Sequence, residues 1–230
     1  MTTRPSFPFT VTSRDVFRIA IPASLAFITE PLVGFTDITV IGRLGDADRL
    51  GGLVLGALVF DFLFSLAYFL RIGTAGLTAQ AIGARDPREG LLHAARALVL
   101  AAVIGVLMIA LSPLLFWIAD ISLAPQGGVR DALALYFYIR IWGAPLVLIN
   151  YVMLGWFYGR AAATTGMTIQ IVLHGVNNVS CVVFVYVLHW GVAGAGFGTL
   201  LGEVVATITG LALFVRHFGG LRPLLSRIAP

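Results

Sequence analysis

Charged residues are scarce in this chain of 230 residues: they make up 11% of the sequence, whereas apolar residues make up 59%. Soluble domains carry roughly 25% charged residues, so this composition excludes a water-soluble domain and predicts an integral membrane protein. Lysine is absent, and all 15 basic residues are arginines. The net charge of +4 is therefore interpreted as information about membrane topology, and no nucleic-acid partner is expected.

Cysteine and catalytic motifs are equally sparse. The single cysteine, Cys181, excludes a disulfide within the chain. The sequence contains no GxSxG, HExxH or CxxC motif, and its four histidines do not have the spacing of metal ligands. No nucleophile with an adjacent base can be named. We therefore expect that the protein is not an enzyme and that it holds no cofactor and no metal centre.

Long apolar segments dominate the remaining sequence. A membrane-spanning helix needs about 20 mostly apolar residues, and six segments meet this length. They predict an all-α, polytopic membrane protein in which residues 1–230 form a single six-helix transmembrane lobe, and the first segment is expected to be a retained helix rather than a secretory signal. The predicted helices cover residues 16–42, 52–82, 91–119, 132–158, 166–188 and 191–215.

The placement of arginines predicts the orientation of these helices. Ten arginines lie in the N-terminal flank, the second and fourth loops and the C-terminal tail, and three lie in the first, third and fifth loops. Arginine is enriched on the cytoplasmic side of membrane proteins. We therefore expect a multi-pass protein of the inner (plasma) membrane with both termini in the cytoplasm.

Four carboxylates fall inside the apolar segments, where a charge costs about 2.5–3.5 kcal/mol. Glu30 and Asp37 are seven residues apart, which places them on one face of the first helix. An outward-opening polar cavity is the simplest arrangement for this pair. Asp61 and Glu203 could equally be structural residues that hold helices together. For Asp37 we favour exchange of H⁺ or Na⁺, because a buried carboxylate without a cationic partner readily takes up a cation.

Proline, asparagine and glycine add further polar or flexible positions. Pro22 and Pro31 permit a hinge in the first helix, although a static kink is as good an interpretation. Asn177 and Cys181 are four residues apart and share a helix face, where Asn177 could equally form a helix–helix hydrogen bond. The stretch "GVAGAGFG" at 191–198 opens an apolar segment, so it indicates close helix packing rather than a dinucleotide-binding turn.

Several longer stretches resemble the multidrug and toxic compound extrusion (MATE) transporters, in their DinF-like branch. The resemblance implies an antiporter that expels organic compounds in exchange for H⁺ or Na⁺. It also implies twelve helices in two six-helix lobes, of which this chain would be one. The N-lobe cation site of the family matches this chain at Asp37, Asn177 and Thr199. The stretches that carry the resemblance are "PLVGFTDITVIGRLG", "FLRIGTAGLTAQAIGARD", "YIRIWGAPLVLINYVMLGWFYGR" and "WGVAGAGFGTLLGE".

The sequence departs from this family in two respects. Cys181 stands at the family's second acidic position, so either Asp37 works alone, Glu30 supplies the second acid, or the coupling is lost. In addition, a lone lobe would present Glu30, Asp37 and Asp61 to lipid. The chain could be a truncated product, or it could pair with a separate second lobe or with a copy of itself. An inactive lobe or an assembly subunit that needs a second six-helix lobe is therefore the alternative to a working antiporter.

Overall fold

The computed structural model describes residues 12–220, except for the side chains at positions 15, 18, 23, 26, 27 and 29–33 of the first helix. The all-α prediction is confirmed, because the described residues are helical almost throughout and contain no β-strand. The α-helices of the described part are α1 (Ser13–Gly42), α2 (Ala47–Leu66), α3 (Phe69–Gly83), α4 (Pro87–Ala110), α5 (Ser112–Leu123), α6 (Gly127–Arg140), α7 (Ala144–Gly159), α8 (Ala163–Val182) and α9 (Gly191–His217).

Five helical segments of the described residues are long and apolar enough to cross a membrane. Two of them combine two helices each, α2 with α3 and α6 with α7, and the others are α4, α8 with its C-terminal extension, and α9. The first helix, α1, has 30 residues, a length of about 45 Å at roughly 1.5 Å per residue. The prediction of a polytopic membrane protein is thereby confirmed.

Three of the predicted helices are interrupted where the sequence indicated continuous rods. Proline explains two of the breaks: Pro113 lies in the first turn of α5, and Pro145 lies in the first turn of α7, after a 3₁₀ turn at Ile141–Gly143. Proline is well tolerated at these positions because its missing N–H has no helical partner there. The third break, between α2 and α3, contains no proline and has no such local cause.

Close contact between α8 and α9 depends on a stripe of glycines with a spacing of four residues. A Cβ atom at Gly198 would lie 2.8 Å from the backbone nitrogen of Cys181, and one at Gly202 would lie 2.9 Å from the carbonyl oxygen of Leu173. Gly194 approaches the backbone of Phe184 in the same way, at 2.9 Å. The helix-packing interpretation of "GVAGAGFG" is confirmed, and the stripe fixes which turn of α9 faces which turn of α8.

The C-terminal part of α1 is attached to the end of α8. After Val182 the chain forms one π-helical turn, Val183–Val187, and the hydroxyl of Tyr186 within it donates a hydrogen bond to the carbonyl oxygen of Val40 at 3.1 Å. Because Val40 lies one turn from Asp37 on α1, this bond holds the Asp37 region of α1 against α8. A π-helical turn near a functional site is a common observation.

Candidate functional site

A cavity of about 640 Å³ lies between seven of the nine α-helices in the described part of the chain, and among these nine only α4 and α5 contribute nothing to its wall. The wall combines apolar residues with 13 polar or charged ones. The polar and charged side chains that line it are Asp37, Asp61, Ser65, Tyr68, Arg71, Tyr136, Arg140, Asn150, Tyr151, Gln170, His174, Thr199 and Glu203.

Asp37 is buried, with 6% of its surface exposed. Among the described residues its Oδ1 atom has no hydrogen-bond partner, and the carboxylate forms no ion pair. The thiol of Cys181 on α8 faces it, and the guanidinium of Arg140 on α6 acts on it electrostatically. A buried carboxylate that lacks a direct cationic partner is costly, so this position has capacity for a cation.

Asn177 lies on α8 one turn from Cys181 and is fully buried. Neither Oδ1 nor Nδ2 of its side chain has a hydrogen-bond partner among the described residues. On α9, Thr199 is 4% exposed, and its hydroxyl donates to the carbonyl oxygen of Ala195 at 3.1 Å, which leaves the oxygen available as an acceptor. The glycine stripe places Thr199 beside the turn that contains Asn177 and Cys181.

Tyr136 connects these groups from the side of α6. Its ring is buried, with 3% of the residue exposed, and its hydroxyl lies against Thr199 and near the carboxylates of Asp37 and Asp61. On α2, Gly56 allows this ring to approach, since a Cβ atom there would lie 3.2 Å from Cε1 of Tyr136. The structure therefore brings Asp37, Thr199 and the Cys181 turn into one buried cluster.

Asp61 and Pro22, which were also predicted from the sequence, are less buried than Asp37. Asp61 lines the cavity but is exposed, as expected for a residue at an open face. The expectation that Asp37 would also be presented to lipid is wrong, because Asp37 is buried and its part of α1 packs against α8. Pro22 lies in α1 and is half-buried. Glu30 and Pro31 also fall within α1, but their side chains lie outside the described residues.

Arg140 and Asn150 are among the polar groups of the cavity that were not singled out from the sequence. Arg140 is half-buried, and its guanidinium lies over the rings of Phe60 and Phe64 at 5.4 and 5.7 Å. Asn150 on α7 donates a hydrogen bond from Nδ2 to Oε2 of Glu203 at 2.8 Å. An arginine or asparagine within an apolar segment is the same signal that identified the carboxylates, and it could have marked both positions.

Comparisons with known proteins agree with one another. The sequence model of the MatE family matches residues 22–183. DNA damage-inducible protein F of Escherichia coli is 36% identical over 217 residues, which cover 93% of this chain and 46% of that protein. A multidrug resistance MATE family transporter of the MOP superfamily, solved in an outward-facing conformation, is 27% identical with a TM-score of 0.81 and covers 94% of this chain.

A crystal structure of a MATE protein in a bent conformation gives a similar result, with 28% identity and a TM-score of 0.82 over 89% of this chain. The match covers 50% of the outward-facing transporter chain and 46% of the bent one. This chain thus spans about half the length of the relatives that it matches.

Proposed function

Because the chain belongs to the MatE family, we propose that it is one six-helix lobe of an exporter that expels organic compounds in exchange for a cation bound at Asp37. The observation that carries this proposal is the buried carboxylate of Asp37, with an unpartnered oxygen on the wall of a large cavity. Thr199, on the wall of the same cavity, and Asn177, one turn from Cys181 on α8, supply neutral oxygen atoms. The proposed location is the inner (plasma) membrane, with both termini in the cytoplasm.

We further propose that the coupling ion is a proton. Sodium is a hard ion that needs several oxygen ligands, whereas the thiol of Cys181, which faces Asp37, is a soft and neutral group. A proton needs only one carboxylate oxygen. With Cys181 in place of a second acid, the cluster has one carboxylate for a cation to neutralise, which favours Asp37 as a single proton carrier.

Neutralisation of Asp37 would change the conformation of α1. The bond between Tyr186 and Val40 holds the C-terminal end of this helix. Movement is therefore expected on the N-terminal side of Asp37, at Pro22 and Pro31, because each proline lacks a backbone hydrogen bond. A ligand shifts a conformational equilibrium only by its differential affinity for the two states, about 1.4 kcal/mol for each tenfold difference. In this mechanism proton binding narrows the cavity and releases the organic compound.

The partner of this lobe is proposed to be a second six-helix lobe, or a second copy of the chain. Large apolar side chains that follow cavity-lining residues in the sequence of α1 to α3 are exposed, among them Phe35 at 69%, Phe62 at 64% and Ile72 at 64%. Together with the half-length match to its relatives, this surface fits contact with another lobe. It also supports the alternative function, an inactive lobe or assembly subunit that depends on its partner.

Transport in proteoliposomes tests the proposed function. Vesicles with an acidic interior that contain the chain and a second six-helix lobe are expected to accumulate ethidium from an alkaline medium, and a protonophore should abolish the accumulation. Vesicles with this chain alone test the homodimer. A sodium gradient at constant pH should drive no uptake. Accumulation that follows sodium and not pH would contradict the proton as coupling ion, and no accumulation in either mixture would favour the inactive lobe.

Replacement of Cys181 by aspartate is expected to introduce a response to sodium. The substitution places a second carboxylate opposite Asp37, so the site gains both a ligand and the negative charge that a bound metal ion neutralises. Ethidium accumulation driven by a sodium gradient, absent from the unmodified protein, should then be measurable. The matched variant Cys181→Asn has the shape of the aspartate variant without its charge, and its transport should not respond to sodium. An equal sodium response in both variants would show that charge at this position does not select the ion.

A further inference from the structure

His174 is a buried imidazole on α8 that lines the large cavity. Only 9% of the residue is exposed, and among the described residues neither Nδ1 nor Nε2 of its ring has a hydrogen-bond partner. A histidine that only supports the fold normally has a partner on at least one ring nitrogen, because a buried polar group without one is destabilising. The unpartnered nitrogens therefore indicate that the ring has a function in the cavity.

The position of His174 relates it to the exchange carboxylate. His174 and Cys181 are seven residues apart on α8, so they share a helix face about two turns, or roughly 10 Å, apart. The thiol of Cys181 faces Asp37, and Asp37 lines the same cavity as His174. A gap of this length needs a chain of about two or three water molecules, at roughly 2.8 Å for each hydrogen bond. The polar wall of the cavity supplies partners for such water molecules.

We propose that His174 receives the coupling proton after it leaves Asp37 and passes it towards the cytoplasm. This inference rests on the proposed function and orientation, in which α8 begins at the cytoplasmic side and His174 precedes Cys181 along it. The O–H bond of the protonated Asp37 breaks as the proton moves to water, and water donates a proton to one ring nitrogen of His174. The other nitrogen then releases its proton to water on the cytoplasmic side. A carboxylate and a neutral imidazole remain, and the ring returns to its first tautomer by turning over.

The charged surroundings of His174 suit a group that holds a proton only in transit. The helices that pack against α8 are α1, α7 and α9. The titratable side chains with which they line the cavity are Asp37, Tyr151 and Glu203, and the arginines on the same wall are Arg71 and Arg140. Among the described residues none of these groups forms an ion pair or a hydrogen bond with the ring. No salt bridge therefore fixes the imidazolium, and the ring is able to release its proton again.

Two kinds of transport measurement test the role of His174, in whichever of the two vesicle mixtures described above accumulates ethidium. His174→Ala and His174→Gln, which cannot carry a proton, are expected to lower the maximal rate of proton-driven accumulation at least about tenfold. The half-saturating ethidium concentration should change by less than about twofold. Exchange of labelled ethidium inside the vesicles for unlabelled ethidium outside needs no proton release. Its rate should therefore equal that of the unmodified protein.

The matched control is His189→Ala, because His189 is exposed and does not line the cavity. This variant should accumulate ethidium at the rate of the unmodified protein. If both His174 variants did the same, the route through His174 would be refuted, whereas exchange at Asp37 would stand. If exchange of ethidium fell as far as accumulation, the role of His174 would be structural, which also refutes the proposal. Absence of proton-driven accumulation in the unmodified protein would overturn the proposed function and this inference together.

Discussion

Asparagine in place of Asp37 is expected to reduce proton-driven ethidium accumulation to the level of protein-free vesicles. The amide has nearly the shape of a protonated carboxyl but cannot release or bind the coupling proton, so the lobe would remain in its neutralised state. Folding should not suffer, because a buried amide costs less than a buried carboxylate with an unpartnered oxygen. The melting temperature of the variant is therefore expected to equal or exceed that of the unmodified protein.

The matched control for this prediction is Asp61→Asn, the same chemical change at a carboxylate that lines the cavity but is exposed. It is expected to retain proton-driven accumulation. Transport and thermal stability should be measured on the same preparations, so that loss of function is separated from loss of fold. If Asp37→Asn transported at the rate of the unmodified protein, exchange at this carboxylate would be wrong, although membership of the family would not be affected.

The positions of the helices could be predicted from the sequence more completely than their shapes. Apolar length predicted six spans, and five of them overlap the helical segments of the described residues that are long and apolar enough to cross a membrane. The breaks at Pro113 and Pro145 also have a local signal, since a proline cannot continue the hydrogen bonds of the preceding helix. The break between α2 and α3 has no such signal, and it depends on packing between helices that are distant in sequence.

The buried cluster around Asp37 shows a similar limit. Asp37, Asn177 and Thr199 were named from the resemblance to the family, but the expectation that Asp37 would face lipid was wrong. Burial depends on how α8 and α9 pack around α1, which no pattern within α1 encodes. Arg140 and Asn150, the hydrogen-bond partner of Glu203, lay in apolar segments and carried the same signal as the named carboxylates. What the sequence could not provide was their convergence, since α6, α7 and α9 meet only in the folded lobe.

Leucine in place of Gly198 is expected to separate α8 from α9 and thereby dismantle the site. A Cβ atom at this position would lie 2.8 Å from the backbone nitrogen and 3.0 Å from Cα of Cys181, and backbone cannot move aside as a side chain can. Overpacking of this kind costs roughly 1–3 kcal/mol. Because Thr199 is the next residue, any displacement of α9 also moves Thr199 away from the turn that contains Asn177 and Cys181.

The same substitution at Gly175 is the appropriate control, since this glycine lies on α8 with nothing within 4 Å of a built Cβ atom. Gly175→Leu should preserve both the melting temperature and proton-driven transport, whereas Gly198→Leu should lower the first and abolish the second. Gly198→Ala is expected to be intermediate in stability, because even a single Cβ does not fit. Equal behaviour of the two leucine variants would mean that the glycine stripe does not hold the two helices together. Some other contact would then have to place Thr199 beside the turn that contains Asn177 and Cys181, and the glycines would not explain how the cluster around Asp37 is assembled.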